Sequence, residues 1–265
     1  MDLGLSGRAC IVTGASRGIG LATARALAGE GARVLLLARD EAALAEAARS
    51  CAEAGGEAAA LAVDVTEPEA GDRAVSACEE HFGAVDVLVN NAGMSRVVPL
   101  DELTDADWQE QWDLHVMGSL RMMRAAAPRM AERGWGRIVN VCSSAGKRPS
   151  STNVAYAVSK AAQLSLSRAF ADAYAARGVL VNAVAPGAVE SPLWMGDGGL
   201  ADQVAERQGG DRQEALDATR AKIPLGRFGT EEEIAAVVAF LCSERASDVA
   251  GAAWSVDGGS VPTIV

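Results

Sequence analysis

Tyrosine is scarce in this 265-residue chain, and one of its two tyrosines, Tyr156, is followed four positions later by Lys160, one of only three lysines. On a helix such a pair shares a face. An ammonium beside a phenol favours the phenolate and draws its pKa, ordinarily about 10, toward the neutral range where proton transfer is efficient. That suits chemistry in which a hydride reaches a carbonyl carbon and the oxygen must then gain a proton. Spacing alone is equally consistent with a solvated polar pair on a helix. A second stretch with chemical potential is Thr13-Gly14-Ala15-Ser16-Arg17-Gly18-Ile19-Gly20, which follows an apolar run and opens a helical pattern. Glycines there permit a tight turn and let backbone N–H groups approach a pyrophosphate at a helix N-terminus. A glycine trio by itself marks only a turn; its place between strand and helix makes it a dinucleotide loop. With that loop in the chain, and Tyr156 following a strand that ends in Val141-Cys-Ser-Ser144, the Tyr–Lys pair reads as functional.

Other chemistries are excluded by what is missing. His81 and His115 are the only histidines, too few for a histidine-rich metal site, and no metal is expected. The five cysteines show no C-x-x-C spacing, so no zinc ribbon or dithiol redox pair is encoded. Their odd, scattered count suits reduced, mostly buried thiols in a cytoplasmic protein. A net charge of −11 and the lack of a basic stripe argue against nucleic acid. Apolar runs such as Ile234 to Cys242 fall far short of a bilayer span, so no membrane partner is expected.

These residues need elements to hold them. Val-, Ile- and Leu-rich runs predict strands at Ala9 to Thr13, Val34 to Ala38, Ala59 to Val63, Val85 to Asn90, Arg137 to Cys142, Val179 to Ala185 and Ala253 to Val256. Alanine-rich segments with apolar residues at three- and four-residue spacing lie between them, including helices at roughly Asp105 to Glu132 and Val154 to Ala176. The alternation predicts an α/β, doubly wound fold: a single seven-stranded parallel sheet with helices on both faces. No linker divides the chain, so residues 1–265 read as a single domain. Ser191 to Arg227 breaks the rhythm and carries Gly196, Gly198, Gly199, Gly209 and Gly210, which suggests a flap or lid over a site.

The glycine spacing, together with Asp64 in Val63-Asp-Val65, Asn90-Asn91-Ala92-Gly93, Ser143, Tyr156-Ala-Val-Ser-Lys160, Pro186-Gly187 and Val256-Asp257-Gly258-Gly259, resembles the short-chain dehydrogenase/reductase family in its single-domain branch. The motifs occur in order over essentially the whole chain. The resemblance implies a Rossmann fold and a nicotinamide dinucleotide contacted by Gly14, Ser16, Arg17, Gly18, Ile19, Gly20, Arg39, Asp64, Val65, Asn91, Ala92, Gly93, Tyr156, Lys160, Pro186, Gly187 and Val189. It implies that Tyr156 is the general acid/base, that Lys160 lowers its pKa and holds the nicotinamide ribose, and that Ser143 hydrogen-bonds the substrate oxygen, with Ser144 as the runner-up. One position departs: where family members carry asparagine in a V-N-x-x-G setting, this chain reads Leu114-His115-Val116-Met117-Gly118. His115 there is either a buried imidazole bonded to backbone or a support for proton relay through water that places activity under pH control.

An acid closing the second strand selects NAD, and a nearby arginine selects NADP. The family's acidic position falls at Ala38, Asp40 being displaced from it and suited to cap a helix; Arg39 and Arg17 resemble the basic positions of NADP-preferring members. NADP(H) is therefore favoured over NAD(H). Ser144, Ala145, Leu193, Trp194 and Met195 are expected to wall the substrate pocket, with Arg96, Lys147 and Arg148 as candidate receivers of an acidic group and otherwise solvated charges. The leading function is a carbonyl reductase, with a 3-oxoacyl thioester on an acyl carrier or CoA as one substrate class and Arg133 and Arg177 as candidate docking residues for an acidic carrier. The alternatives are an NAD-dependent secondary alcohol or sugar dehydrogenase and a non-catalytic nicotinamide-nucleotide sensor. Small residues on the helices at Asp105 to Glu132 and Val154 to Ala176, with the resemblance, imply a homotetramer or homodimer.

Overall fold

Seven segments of four to eight residues pair into one sheet, and they are the apolar runs of the sequence. In chain order they are β1 (Ala9–Thr13), β2 (Arg33–Ala38), β3 (Glu57–Ala62), β4 (Val87–Asn90), β5 (Gly136–Val141), β6 (Val179–Pro186) and β7 (Ala253–Val256). The computed structural model describes residues 1–262. Every ladder is parallel, and the order is β3-β2-β1-β4-β5-β6-β7. Strands buried on both faces need no alternation: β1 and β5 are buried at every residue, β1 as an apolar run closed by Thr13 and β5 with Arg137 and Asn140 buried among its apolar residues.

The helices are α1 (Gly18–Gly29), α2 (Glu41–Glu53), α3 (Ala70–Phe82), α4 (Asp105–Trp112), α5 (Gly118–Glu132), α6 (Val154–Tyr174), α7 (Pro192–Met195), α8 (Leu200–Gln208), α9 (Arg212–Arg220) and α10 (Glu231–Cys242). One core packs Ala24, Leu27 and Leu44 of α1 and α2 and Ile234 and Val238 of α10 against Val12, Leu36 and Val139 of the sheet. The other core packs Ala74 and Cys78 of α3 and Met122, Met123 and Ala126 of α5 against Ile11, Leu35 and Ile138 on the opposite face. Helices therefore cover both faces, as the alternation predicts.

The differences from the sequence reading are local. The spans predicted for β1 and β7 coincide with the observed strands, and the other five shift at one or both ends by one or two residues. The helix predicted across Asp105 to Glu132 is interrupted by a widened turn, Asp113–Met117, in which the Gly118 N–H reaches back to the Asp113 carbonyl, five residues away. Residues 191–227 depart from the βα rhythm as expected and hold three short helices, α7 to α9, around a small core of Ala201, Leu216 and Phe228. All five cysteines are buried and free. Among the described residues no helix is long and apolar enough to cross a membrane.

Where the strand order reverses, between β1 and β4, the chain leaves the sheet in opposite directions and opens a crevice at the carboxyl ends of the strands. Gly14, Arg39, Asp64, Asn91, Ser143 and Gly187 each follow one of the first six strands and so collect along one edge.

Candidate active site

That edge is a cleft of about 1420 Å³. At one end it is lined by Gly14, Ser16, Arg17, Gly18 and Ile19, together with Arg39, Asp64 and Val65. Gly14 has φ +64°, and a Cβ there would lie 2.9 Å from the Ala92 Cα. Gly20 is buried behind the wall, and a Cβ on it would lie 2.2 Å from the Gly14 carbonyl oxygen. It therefore lets the turn sit against α1 and does not line the cleft itself, unlike the contact expected of it. The loop is tied to the strand β4 exit by side chains: the Thr13 hydroxyl accepts from the Asn91 and Ala92 N–H groups at 2.9 and 3.0 Å, and the Asn91 amide donates to the Thr13 and Gly14 carbonyls at 3.0 and 3.2 Å. Helix α1 begins with no side-chain cap and no acidic residue in its first turn. Its unpaired N–H groups and the positive end of its dipole meet the cleft, the arrangement that holds a phosphate.

Asp40 also lines this end of the cleft, exposed and beside Arg39. Its carboxylate accepts from the Ala43 N–H at 3.0 Å and caps α2. Arg39 is largely exposed and pairs loosely with Asp64 at 3.8 Å, while the other Asp64 oxygen accepts from the Thr66 N–H and hydroxyl at 2.9 and 2.8 Å. The guanidiniums of Arg17 and Arg39 are thus the cations at this end of the cleft among its described lining residues.

Ser143, Tyr156 and Lys160 all line the middle of the cleft, with Asn91, Ala92, Gly93, Pro186, Gly187 and Val189. Ser143 stands in extended backbone at the end of the β5 exit, its hydroxyl accepting from the Ala145 N–H at 3.1 Å. Lys160 is 3% exposed, and its ammonium donates to the Val141 carbonyl at 3.0 Å. Burial brings its pKa down to about 8, opposed by the nearby Cys142. Burial likewise pushes the Tyr156 phenol up to about 12, the Ser143 hydroxyl opposing it. The Lys160 ammonium lies 5.8 Å from the Tyr156 ring centroid, and desolvation of the phenolate is the larger influence on the phenol.

His115 is completely buried and lies behind the cleft wall. The widened turn carries it against Tyr156, ring centroids 5.3 Å apart and nearly perpendicular. Its Nε2 accepts from the Met94 N–H at 3.3 Å. Nδ1 must then carry the proton, and it donates to the Ser159 hydroxyl at 2.9 Å, which in turn donates to the Tyr156 carbonyl at 2.8 Å. Burial first, then the Lys160 charge, hold its pKa well below the ordinary value, so the ring is neutral at physiological pH.

At the other end Ser144, Ala145, Leu193 and Trp194 line the cleft as expected, joined by Ser95, Ser150, Thr152, Asn153, Leu200 and Val204. Met195 does not join them: it packs into the small core of residues 191–227 beside Phe228, on which the Trp194 ring also leans at 5.3 Å. Lys147 turns away to the sheet edge, bonding the Ala253 carbonyl at 2.6 Å and the Ser255 hydroxyl at 3.0 Å; Arg96 pairs with Glu110 at 3.0 Å. Of the three candidate cations only Arg148 lines the cleft. Arg133 donates to Asp86 at 3.1 Å and to the Val85 carbonyl while its side chain stays partly exposed. Ser95 and Asn153, joined by a 3.1 Å hydrogen bond, were not legible as wall residues. The signal for Asn153 is its place immediately before the first residue of α6, three positions from Tyr156.

Comparison with known proteins agrees with this geometry. The family model for short chain dehydrogenases matches residues 8–198. Galactitol 2-dehydrogenase of Agrobacterium fabrum is 35% identical over 258 residues, 97% of this chain and 98% of that protein. The 3-oxoacyl-[acyl-carrier-protein] reductase of Vibrio cholerae is 35% identical over 257 residues, with the same coverage of each chain. Among solved structures, L-sorbose reductase from Gluconobacter frateurii, complexed with NADPH and L-sorbose, superimposes with a TM-score of 0.92 at 38% identity, covering 100% of both chains. The chain belongs to the short-chain dehydrogenase family and is an oxidoreductase.

Proposed function

We propose that this oxidoreductase reduces small carbonyl compounds with NADPH, with Ser143, Tyr156 and Lys160 as its catalytic residues. The observation that carries the reading is the convergence of those three side chains on the cleft that the glycine loop opens. The nicotinamide, when bound, supplies hydride to the carbonyl carbon. Ser143 donates a hydrogen bond to the carbonyl oxygen, and Tyr156 delivers the proton that this oxygen requires. A phenol raised to about 12 is fully protonated at neutral pH, the state a proton donor needs. An alkoxide is a stronger base than a phenolate, so the transfer still runs downhill. Oxidation of an alcohol needs the phenolate instead. Lys160 holds the ribose through a remaining ammonium donor and places a cation beside the phenol as its proton leaves.

The glycine loop and the uncapped start of α1 fit a pyrophosphate. Arg17 and Arg39 favour a 2′-phosphate over a bare ribose, and Asp40 spends one carboxylate oxygen on the α2 cap. The NADPH bound by the sorbose reductase supports the same choice. His115 is read as a positioning residue for Tyr156: both ring nitrogens are engaged, which leaves no lone pair for a water relay. Residues 191–227 form the lid. Its α8 is fastened across the cleft by Gln203, whose side-chain oxygen accepts from the Val97 N–H at 2.9 Å, and by Arg207, which grips Glu102 with two hydrogen bonds of 2.8 and 2.9 Å.

The hydroxyls of Ser95, Ser144, Ser150 and Thr152 and the Asn153 amide make the substrate wall polar opposite the apolar Leu193, Trp194, Leu200 and Val204. That mixture favours a hydroxylated ketone over a long acyl thioester, in keeping with the polyol and ketose enzymes among the relatives. The test is a panel of ketoses, simple ketones and 3-oxoacyl thioesters on CoA and acyl carrier, followed by nicotinamide absorbance with NADPH and with NADH. Turnover of hydroxylated ketones with NADPH is expected; turnover confined to acyl thioesters, or to NADH, would overturn the respective half of the proposal.

A further inference from the structure

Lys160 has a second protein partner that no catalytic motif calls for. Three positions further along α6, Gln163 is 1% exposed, and its Oε1 accepts from the Lys160 ammonium at 2.9 Å. The orientation of the Gln163 amide is forced, because lysine can only donate and so must face the oxygen. The amide nitrogen then points to α5, where it donates to the Ser119 hydroxyl at 2.7 Å. Ser119 is itself 5% exposed, so the chain Lys160–Gln163–Ser119 runs entirely inside the protein. A buried glutamine costs free energy unless both ends of its amide are paired, and here both are.

We propose that Gln163 is a positioning residue for Lys160: its carbonyl oxygen fixes the ammonium and helps keep it charged, while its amide nitrogen anchors the pair to α5. An ammonium has three donors. Val141 and Gln163 take two of them from the protein side, which leaves one for the cleft that Lys160 lines. The two carbonyl dipoles present their negative ends to the nitrogen and favour its charged form against burial. The other titratable groups facing Lys160 are Tyr156 on the same helix, His115 from the widened turn and Cys142 at the end of β5. His115 is neutral, and Cys142, whose thiol burial holds at about 12, is the one of the three that opposes the lowering of Lys160. Gln163 is thus a source of compensation for a cation that has no carboxylate partner among the described residues.

The inference rests on the reading of Lys160 as the partner of Tyr156, and the test separates the two. Gln163→Met keeps length and volume and removes the acceptor; Gln163→Glu keeps the acceptor and adds a negative charge. If Gln163 supports the ammonium, Gln163→Met moves the alkaline limb of kcat/KM to lower pH by about one unit, and Gln163→Glu moves it to higher pH by a similar amount. A residue that merely fills space would move neither limb. Parent-like limbs in both folded variants would overturn the proposal; should Gln163→Met not fold, the direction of the Gln163→Glu shift decides alone. Lys160→Met is measured beside them. Its inactivity together with unmoved limbs condemns only the Gln163 inference, whereas an active Lys160→Met with the parent's limb removes the functional reading on which both rest.

Discussion

The two ends of the cleft are built on different principles. At the glycine-loop end the backbone does the work: Gly14 and Gly20 let the turn close on itself, Thr13 and Asn91 lock it to the β4 exit, and an uncapped helix supplies the N–H groups. At the lid end the wall is made of side chains from distant segments, held by Gln203 on Val97 and Arg207 on Glu102. A backbone cradle tolerates almost no change of residue type, whereas a side-chain wall can be rewritten without disturbing the sheet. On the proposed function, the first end would bind the dinucleotide and the second would select the substrate.

Substitutions at the two ends and between them break that comparison in graded ways. The largest effect belongs to neither end: Tyr156→Phe lacks the proton donor, and kcat is expected to fall by about 10² to 10⁴-fold while NADPH titration of the folded variant stays parent-like. The same site sets the pH profile. Lys160 titrates at about 8, so its ammonium is lost as pH rises through that value, and kcat/KM for reduction falls on the alkaline side. His115 contributes no step near the ordinary histidine value because its ring is already neutral there; His115→Asn is expected to lower kcat while leaving the shape of the pH profile unchanged. At the cradle, Gly20→Ala drives a methyl into the Gly14 carbonyl, and denaturant titration is expected to show a loss of about 1–3 kcal/mol together with weakened cofactor binding. Arg39→Ala leaves the fold alone and reduces the preference for NADPH over NADH by about tenfold in a binding titration, the scale of one charge-assisted hydrogen bond. The smallest effect is expected at the lid, where the exposed Arg207–Glu102 pair is screened by solvent: Arg207→Ala raises KM by no more than about threefold with kcat unchanged, and added salt mimics it in the parent.

Legibility in the sequence follows the same division. The strands could be read because a sheet covered on both faces demands uninterrupted apolar runs, and Ala9–Thr13 coincides with its predicted span. The glycine loop and the Tyr156–Lys160 pair could be read because their chemistry is local in the chain. Widening of the helix at Asp113–Met117 could not, since one extra residue in a turn leaves no mark on composition, yet it carries His115 to Tyr156. Lys147 reads as a candidate receiver of an acidic group and otherwise a solvated charge, but its partner Ala253 lies 106 positions away, beyond any local pattern. Met195 looked like its neighbours Leu193 and Trp194, and only the packing of Phe228 and Leu216 shows that it faces the other way. The desolvation acting on Tyr156 was hidden too, because spacing reveals the ammonium and not the surroundings of the phenol.

The central claim is that hydride passes from NADPH to a carbonyl carbon in this cleft. It is tested most directly with NADPH carrying deuterium at the transferable position of the nicotinamide, a hydroxylated ketone, and mass spectrometry of the alcohol formed. The account predicts a single deuterium on the carbinol carbon with the parent protein and none detectable over the same time with Tyr156→Phe. Alcohol without label from NADPH, or label delivered only from NADH, would contradict it.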